Sequence, residues 1–225
     1  MDFSQLIGNL TGKMTAESSW FTIAAKGGIL MVVLLVVSII AITIIIERLI
    51  KFRRARLDKA EFFKELHGYI ADNQIERAIQ FCEEKERSPL AKIVALAIEN
   101  YEVGVSKRRE IIELALRKEM RKFEKNLGAL STFAAIAPLI GFLGTVTGMV
   151  KVFMKIAETG GGVDISVLAT GIWEALVTTI GGLTVGIISI LFYNYLVGRV
   201  ENIAYEIDDI TNDFLTDFRR IKYGK

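Results

Sequence analysis

One acidic residue, Glu174, interrupts an otherwise uncharged run of residues 172–197. A charged carboxylate at the centre of a bilayer costs about 2.5–3.5 kcal/mol on insertion scales, and less towards the interface. Glu174 lies near one end of its run, which leaves two readings. It is either an interfacial acid partly in water or a polar group facing a protein-lined cavity. Two threonines, Thr145 and Thr179, put hydroxyls into apolar stretches of the same kind. Read singly, each is a hydroxyl bonded back to a carbonyl of its own helix. Small residues recur at four-residue steps, as Gly141/Thr145, Gly144/Gly148 and Gly182/Gly186. That spacing lets membrane helices approach closely, so packing is the plain reading of Gly141, Gly144, Gly148 and Gly182. No nucleophile–base pair is visible, which argues against an enzyme. The chain has a single cysteine, Cys82, and a single histidine, His67. These supply no internal disulfide and no metal-ligand cluster, and no cofactor is implied. Cys82 reads as a buried thiol and His67 as a helix-surface residue.

The elements that must position these residues are three apolar runs. The first, 28–46, carries no charge and is long enough to cross a hydrocarbon core of about 30 Å. It is a poor signal peptide, since no basic region precedes it and Glu47-Arg48 follows it. The second run, 127–150, is rich in Gly, Ala and Thr, and the third is 172–197. Basic residues crowd the segment between the first two runs, with Arg48, Lys51, Arg53, Arg54, Arg56 and Lys59 at its start. Arg117, Lys118, Arg121, Lys122 and Lys125 stand at its end. By the positive-inside rule, residues 47–126 and the C-terminal tail are cytoplasmic, and the N-terminus and the 156–171 loop lie outside. The chain then divides into an outer segment at 1–26, transmembrane helices at 27–46, 127–155 and 172–197, a cytoplasmic helical region at 47–126, an outer loop at 156–171 and a cytoplasmic C-terminal helix at 198–225. A net charge of +2 gives no case for nucleic acid.

Two prolines in 225 residues suit an almost wholly helical chain. Residues 2–25 carry apolar side chains at helical spacing with Trp20 as an interfacial anchor, so they form either an amphipathic helix on the outer interface or a partly ordered tail. The first span is expected to run on to about Tyr69. A break at Asp72-Asn73 caps a short helix containing Cys82. Ser88 caps the next helix, with Pro89 at its first position. Gly104 ends that helix and Ser106 caps the one after it. From 107 to about 157 only Pro138 interrupts a helical pattern, giving about 50 residues and roughly 75 Å, far more than a bilayer needs. Ile203, Ile207, Ile210, Phe214 and Phe218 extend the third span in the same way. The Gly160-Gly161-Gly162 turn lacks a phosphate-loop pattern and reads as a flexible loop. Asp164 reads as the cap of a short helix leading into the third span.

Residues 137–148 read A-P-L-I-G-F-L-G-T-V-T-G and residues 171–183 read G-I-W-E-A-L-V-T-T-I-G-G-L. In these two motifs, in this order and topology, the chain resembles the MotA/TolQ/ExbB proton channel family. The resemblance is sharpest over about 125–200. The three-span layout looks like ExbB or TolQ and departs from MotA, which has four spans. The resemblance implies an all-α integral membrane protein of the bacterial inner membrane, multi-pass, with a periplasmic N-terminus and a cytoplasmic C-terminus. It also implies a homopentameric ring with long cytoplasmic helical extensions. The second and third spans would wall a pore around an ExbD- or TolR-like single-span partner bearing a membrane Asp. Proton flow would energise a TonB- or TolA-like protein and so drive transport across the envelope. By the same resemblance Thr145 and Thr179 match pore-lining threonines, Glu174 matches the third-span acid, and Pro138 with its neighbouring glycines matches the bend of the pattern. The first span looks like a lipid-facing support.

The physics is compatible with that likeness. Beyond Glu174 the spans carry no relay of ionisable groups, so the proton carrier must come from a partner. A 100 mV potential supplies about 2.3 kcal/mol per charge that crosses, enough to bias a step of central helices inside a ring. The competing reading is a non-conducting membrane scaffold. A secondary transporter is disfavoured because three spans hold no inverted repeat.

Overall fold

The computed structural model describes residues 28–159 and 165–223. The N-terminal segment with Trp20, the triple glycine and Asp164 lie outside the described residues. Those described form seven helices and no strand. They are α1 (Gly28–Arg54), α2 (Lys59–Ala71), α3 (Ile75–Glu84), α4 (Pro89–Glu99), α5 (Val105–Glu124), α6 (Leu127–Glu158) and α7 (Ile165–Tyr223). Helices α1, α6 and α7 are long and apolar enough to cross a membrane. The chain groups into two compact units, one of residues 1–42 and 129–191, the other of residues 43–128 and 192–225.

Among its described residues the first unit contains only parts of the three long helices. Residues of α6 meet α7 in antiparallel order: Pro138 lies against Gly186, Gly141 against Thr178, Thr179 and Gly182, and Gly148 against Ala175. The contacting positions are nearly all small, and Ala137, Gly141, Gly144, Gly148, Ala175 and Gly182 are buried. The remaining faces are apolar and exposed, with Leu139, Phe142 and Phe153 on α6, Ile180 and Leu191 on α7 and Ile29 on α1 all more than half accessible. Without a hydrophobic drive between helices in lipid, close contact between small residues is what holds such helices together. Helix α6 runs unbroken through Pro138, whose ring packs on Gly186. A proline inside a membrane helix is tolerated when neighbouring groups take up the freed backbone positions.

The second unit has a core of ordinary soluble kind. Leu66, Ala78, Cys82, Ala91, Ile93, Val94 and Ala97 of α2, α3 and α4 are at most 1% exposed. Phe62 stacks on Phe81, Phe63 and His67 lie against Phe214, and Tyr101 lies against Phe218, so the end of α7 is joined to the small helices by aromatic contacts. His67, read as a helix-surface residue, is half-buried: its ring is nearly parallel to that of Phe214, and its Nε2 is buried. Ser88 caps α4 with Pro89 at the first position, as its sequence predicts.

Three helix boundaries differ from the expected ones. The first span does not run on to Tyr69: α1 ends at Arg54, and α2 starts afresh behind Asp58, whose carboxylate accepts from the backbone N–H of Ala60 and Glu61. The stretch 107–157 is two helices, not one. Lys125 is extended, and Asn126 turns through φ +67°, which separates α5 from α6. Asparagine tolerates this left-handed conformation better than most residues, so the break needs no glycine or proline. Finally, α4 stops at Glu99, and Gly104, expected to end it, instead precedes α5, with Ser106 inside that helix.

Arg48 explains where α5 ends. It is 1% exposed and donates to the carbonyls of Lys122 (2.9 Å) and Phe123 (3.3 Å) while pairing with Glu47. Lys51 donates to the same Lys122 carbonyl at 2.6 Å, and Phe52 stacks on Phe123 at 5.4 Å. The last carbonyls of a helix have no partner within it and carry its negative end, so two cations from α1 satisfy and neutralise them.

Candidate functional site

The two motif segments form one contact in the first unit. At Gly141 the two helix backbones come close. A Cβ there would lie 2.9 Å from the Thr178 carbonyl oxygen and 3.1 Å from the Thr179 Cα. Backbone is therefore packed against backbone, and only glycine fits. This closeness allows the Thr179 hydroxyl to donate across the helix pair to the Gly141 carbonyl at 2.9 Å. The Thr145 hydroxyl behaves differently and donates to Phe142 of its own helix at 2.7 Å. Both threonines are half-buried. Gly141 and Thr145 are four residues apart, so they share a face of α6 and bring the two hydroxyls to neighbouring turns.

In both threonines the one hydroxyl proton is committed to a backbone carbonyl. A hydroxyl has one donor and two acceptor lone pairs, so what remains is acceptor capacity. Oxygens in this state match a group that still carries its proton, such as a protonated carboxylic acid. To serve an ionised carboxylate, the hydroxyls must first rotate away from their carbonyls.

Thr178 was not singled out from the sequence, although it is the more buried of the adjacent pair at 1% exposure. Its hydroxyl returns to Glu174 and Ala175 of its own helix. It fills the space left by Gly144, where an added Cβ would come within 2.6 Å of the Thr178 Cβ. Gly148 and Gly182 are used in the same way, against Ala175 and against Gly141. The signal for Thr178 was the matching four-residue spacing of Gly144 on one helix and the paired threonines on the other, but spacing alone does not say which threonine faces inward.

Glu174 lies five residues before Thr179, about 7.5 Å along the helix. It is not in contact with either threonine hydroxyl. The Lys151 ammonium of α6 donates to its carboxylate at 3.1 Å, with the side chains 66% and 27% exposed respectively. Gly28, at the start of α1 with φ +68°, is the third neighbour, and a Cβ there would sit 3.4 Å from the Glu174 Cδ. Glu174 is therefore held where α1 begins, by a counter-charge that the sequence presents only as the flank of a span. Among the described residues no group of histidine, cysteine or acidic side chains could hold a metal ion.

Similarity to known proteins agrees with the geometry in the segments it covers. The MotA/TolQ/ExbB proton channel family matches residues 85–209, more than half of the chain and inclusive of both motifs. Biopolymer transport protein ExbB of Neisseria meningitidis serogroup A is 28% identical over 198 residues, covering 81% of this chain and 87% of that protein. An ExbB-like biopolymer transport protein of Synechocystis sp. is 29% identical over 174 residues, covering 76% and 68%. The Tol-Pal system protein TolQ of Haemophilus influenzae is 32% identical over 114 residues, covering 51% and 50%. With three membrane-competent helices and a matched region that contains the whole α6–α7 contact, the chain belongs to the MotA/TolQ/ExbB proton channel family.

Proposed function

We propose that the chain is the ExbB/TolQ-like subunit of a motor in the bacterial inner membrane, driven by the proton-motive force. Five copies form a ring in which α6 and α7 wall a pore. The pore encloses single-span helices of an ExbD- or TolR-like partner that carries a membrane Asp. Proton passage moves those helices, and the motion is passed to a TonB- or TolA-like protein. The output is mechanical, so the chain is read as no enzyme. Residues 47–126 and 198–225 face the cytoplasm, and residues 1–26 and 156–171 face the periplasm.

The observation that supports this reading best is the state of Thr145 and Thr179. Their protons are used by backbone carbonyls, so their oxygens can accept from a protonated acid inside an otherwise apolar wall. Such a wall favours the neutral form of a carrier acid and releases it where water re-enters. Glu174, held by Lys151, then marks the outer mouth of the path, at the end where protons arrive.

The test is partner-dependent proton flux in vesicles, with Thr145→Val, Thr179→Val and Glu174→Ala compared with wild type. Loss of flux with intact assembly supports the pore and excludes a non-conducting scaffold. Unchanged flux together with unchanged energy-dependent transport overturns the assignment of these residues.

A further inference from the structure

The second unit carries opposite charge in two helical strips. Residues 200–218 of α7 contain six acids and no lysine or arginine, whereas residues 105–125 hold eight bases against four acids. On α5 the exposed Lys107, Leu114, Lys118 and Arg121 follow one another by seven, four and three residues, so they share one face, opposite the buried Ile112 and Phe123. The exposed Lys125 comes just after the helix. On α7 Glu201, Tyr205, Asp209, Asp213 and Asp217 recur every four residues and all are exposed, while Val200, Ile207, Phe214 and Phe218 are buried on the other side. None of the four bases of the first strip, nor Glu201, Asp209 or Asp213 of the second, makes an ion pair with a described residue. Leu114 at 59% and Tyr205 at 76% exposure put large apolar surface into both strips.

The two strips lie at one depth. At the end nearer the spans, Glu124 and Leu127 line one hollow with Val200 and Glu201. At the other end the Tyr101 ring is 4.5 Å from that of Phe218, and Arg108 of α5 donates to the Tyr101 carbonyl at 2.7 Å. Helix α5 and the extension of α7 therefore run antiparallel over the same distance. Lys107 to Lys125 measures about 27 Å, and Glu201 to Asp217 about 24 Å. Counted from the end nearer the spans, Arg121 and Tyr205 are each about 6 Å along their strips, and Lys118 and Asp209 about 11 and about 12 Å.

We propose that the acidic strip of α7 in one copy docks on the basic strip of α5 in a second copy of this chain. Copies in one ring are related by rotation about an axis normal to the bilayer, which leaves depth unchanged, so Asp209 meets Lys118 and Tyr205 meets Arg121. A guanidinium over the exposed Tyr205 ring adds a cation–π contact. Single exposed ion pairs contribute little, but a matched row fixes which surfaces meet and in which register. Each copy offers both strips, so the contact is head-to-tail and can close a ring. The proposal rests on the ring of copies given above, but not on proton conduction.

The test uses the full chain in membranes, with Lys118→Cys in copies bearing one tag and Asp209→Cys in co-expressed copies bearing another. A bismaleimide is expected to join the two tags. The buried Cys82 by itself is expected to give no product. Lys64→Cys, at an exposed position on α2 outside both strips, is expected to give none with Asp209→Cys. In detergent, Lys118→Glu/Arg121→Glu is expected to lower the assembled fraction at least ~5-fold, because like charges then face each other, and adding Asp209→Lys/Asp213→Lys is expected to restore it. Three results would each overturn the proposal and leave the ring standing: no product from Lys118→Cys with Asp209→Cys while wild type assembles, equal product from Lys64→Cys, or a charge-reversed chain that assembles as wild type does. Wild type that stays a single copy overturns the ring as well. Should the charge-reversed chain fail to fold, read as a lost thermal transition, the crosslink decides.

Discussion

The Thr179 hydroxyl donates to the Gly141 carbonyl on the facing helix at 2.9 Å, and the absence of a side chain at Gly141 is what brings the two within reach. Two different substitutions therefore break the same relationship with different consequences. Thr179→Val keeps the shape and removes the donor. Interhelical bonds of this kind average about 0.6 kcal/mol in membrane proteins, so the fold should persist, and under the proposed function proton flux should fall. Thermal unfolding and vesicle flux measured on the same preparation would check this.

Gly141→Leu acts through volume. Its side chain must enter space held by the backbone of Thr178 and Thr179, and neither can move without parting the helices. The expected result is loss of assembly as well as flux, read by size-exclusion chromatography in detergent. Gly68→Ala is the control, because nothing lies within 4 Å of a Cβ there.

The Lys151–Glu174 pair is largely solvated on the lysine side, so its contribution to stability is small. Lys151→Met should change stability by less than about 1 kcal/mol. If Lys151 positions Glu174, the same change should still lower flux, and Lys151→Arg should restore it. A flux equal to wild type in Lys151→Met would separate the lysine from the path.

Arg48 is the opposite case, a buried cation holding backbone carbonyls at the end of α5. Arg48→Met leaves the Phe123 carbonyl unsatisfied and the Lys122 carbonyl with Lys51 alone, at a cost of about 1–3 kcal/mol. Limited proteolysis should then show faster cleavage around residues 120–127. Arg48→Lys should rescue poorly, since an ammonium does not reproduce the guanidinium fork.

Burial pushes the Cys82 thiol up to about 12 from an ordinary 9.0. The neutral thiol is the form the fold accepts, so its stabilising effect is complete below pH 9 and is lost as the pH rises from 9 towards 12. Alkylation by iodoacetamide at pH 8 should be at least ~100-fold slower in the folded chain than in urea, because the thiolate is the nucleophile.

Much of this chain was legible from residue order. Long uncharged runs must form helices when water is absent, because a helix satisfies its own backbone. The three long apolar helices therefore follow from 28–46, 127–150 and 172–197 alone, as does the start of α4 from Ser88-Pro89. Recognition of the family likewise needed only the two motifs, which are local strings.

The features that residue order left hidden depend on partners distant along the chain. Thr178 and Thr179 are chemically identical neighbours, and only packing against α6 sends one hydroxyl back to Glu174 and Ala175 and the other across to Gly141. Arg48 looks in the sequence like one more basic residue below a span, yet it is buried because the carbonyls of Lys122 and Phe123 arrive from more than seventy residues away. The break at Asn126 comes from that contact as well, since a helical pattern that continues through a position gives no warning when tertiary contacts end the helix there. By itself the sequence determined the elements, the family and the candidate side chains. The tertiary structure alone decided which carbonyl each hydroxyl and cation meets, because a polar group in a dry interior takes its role from the nearest unsatisfied partner.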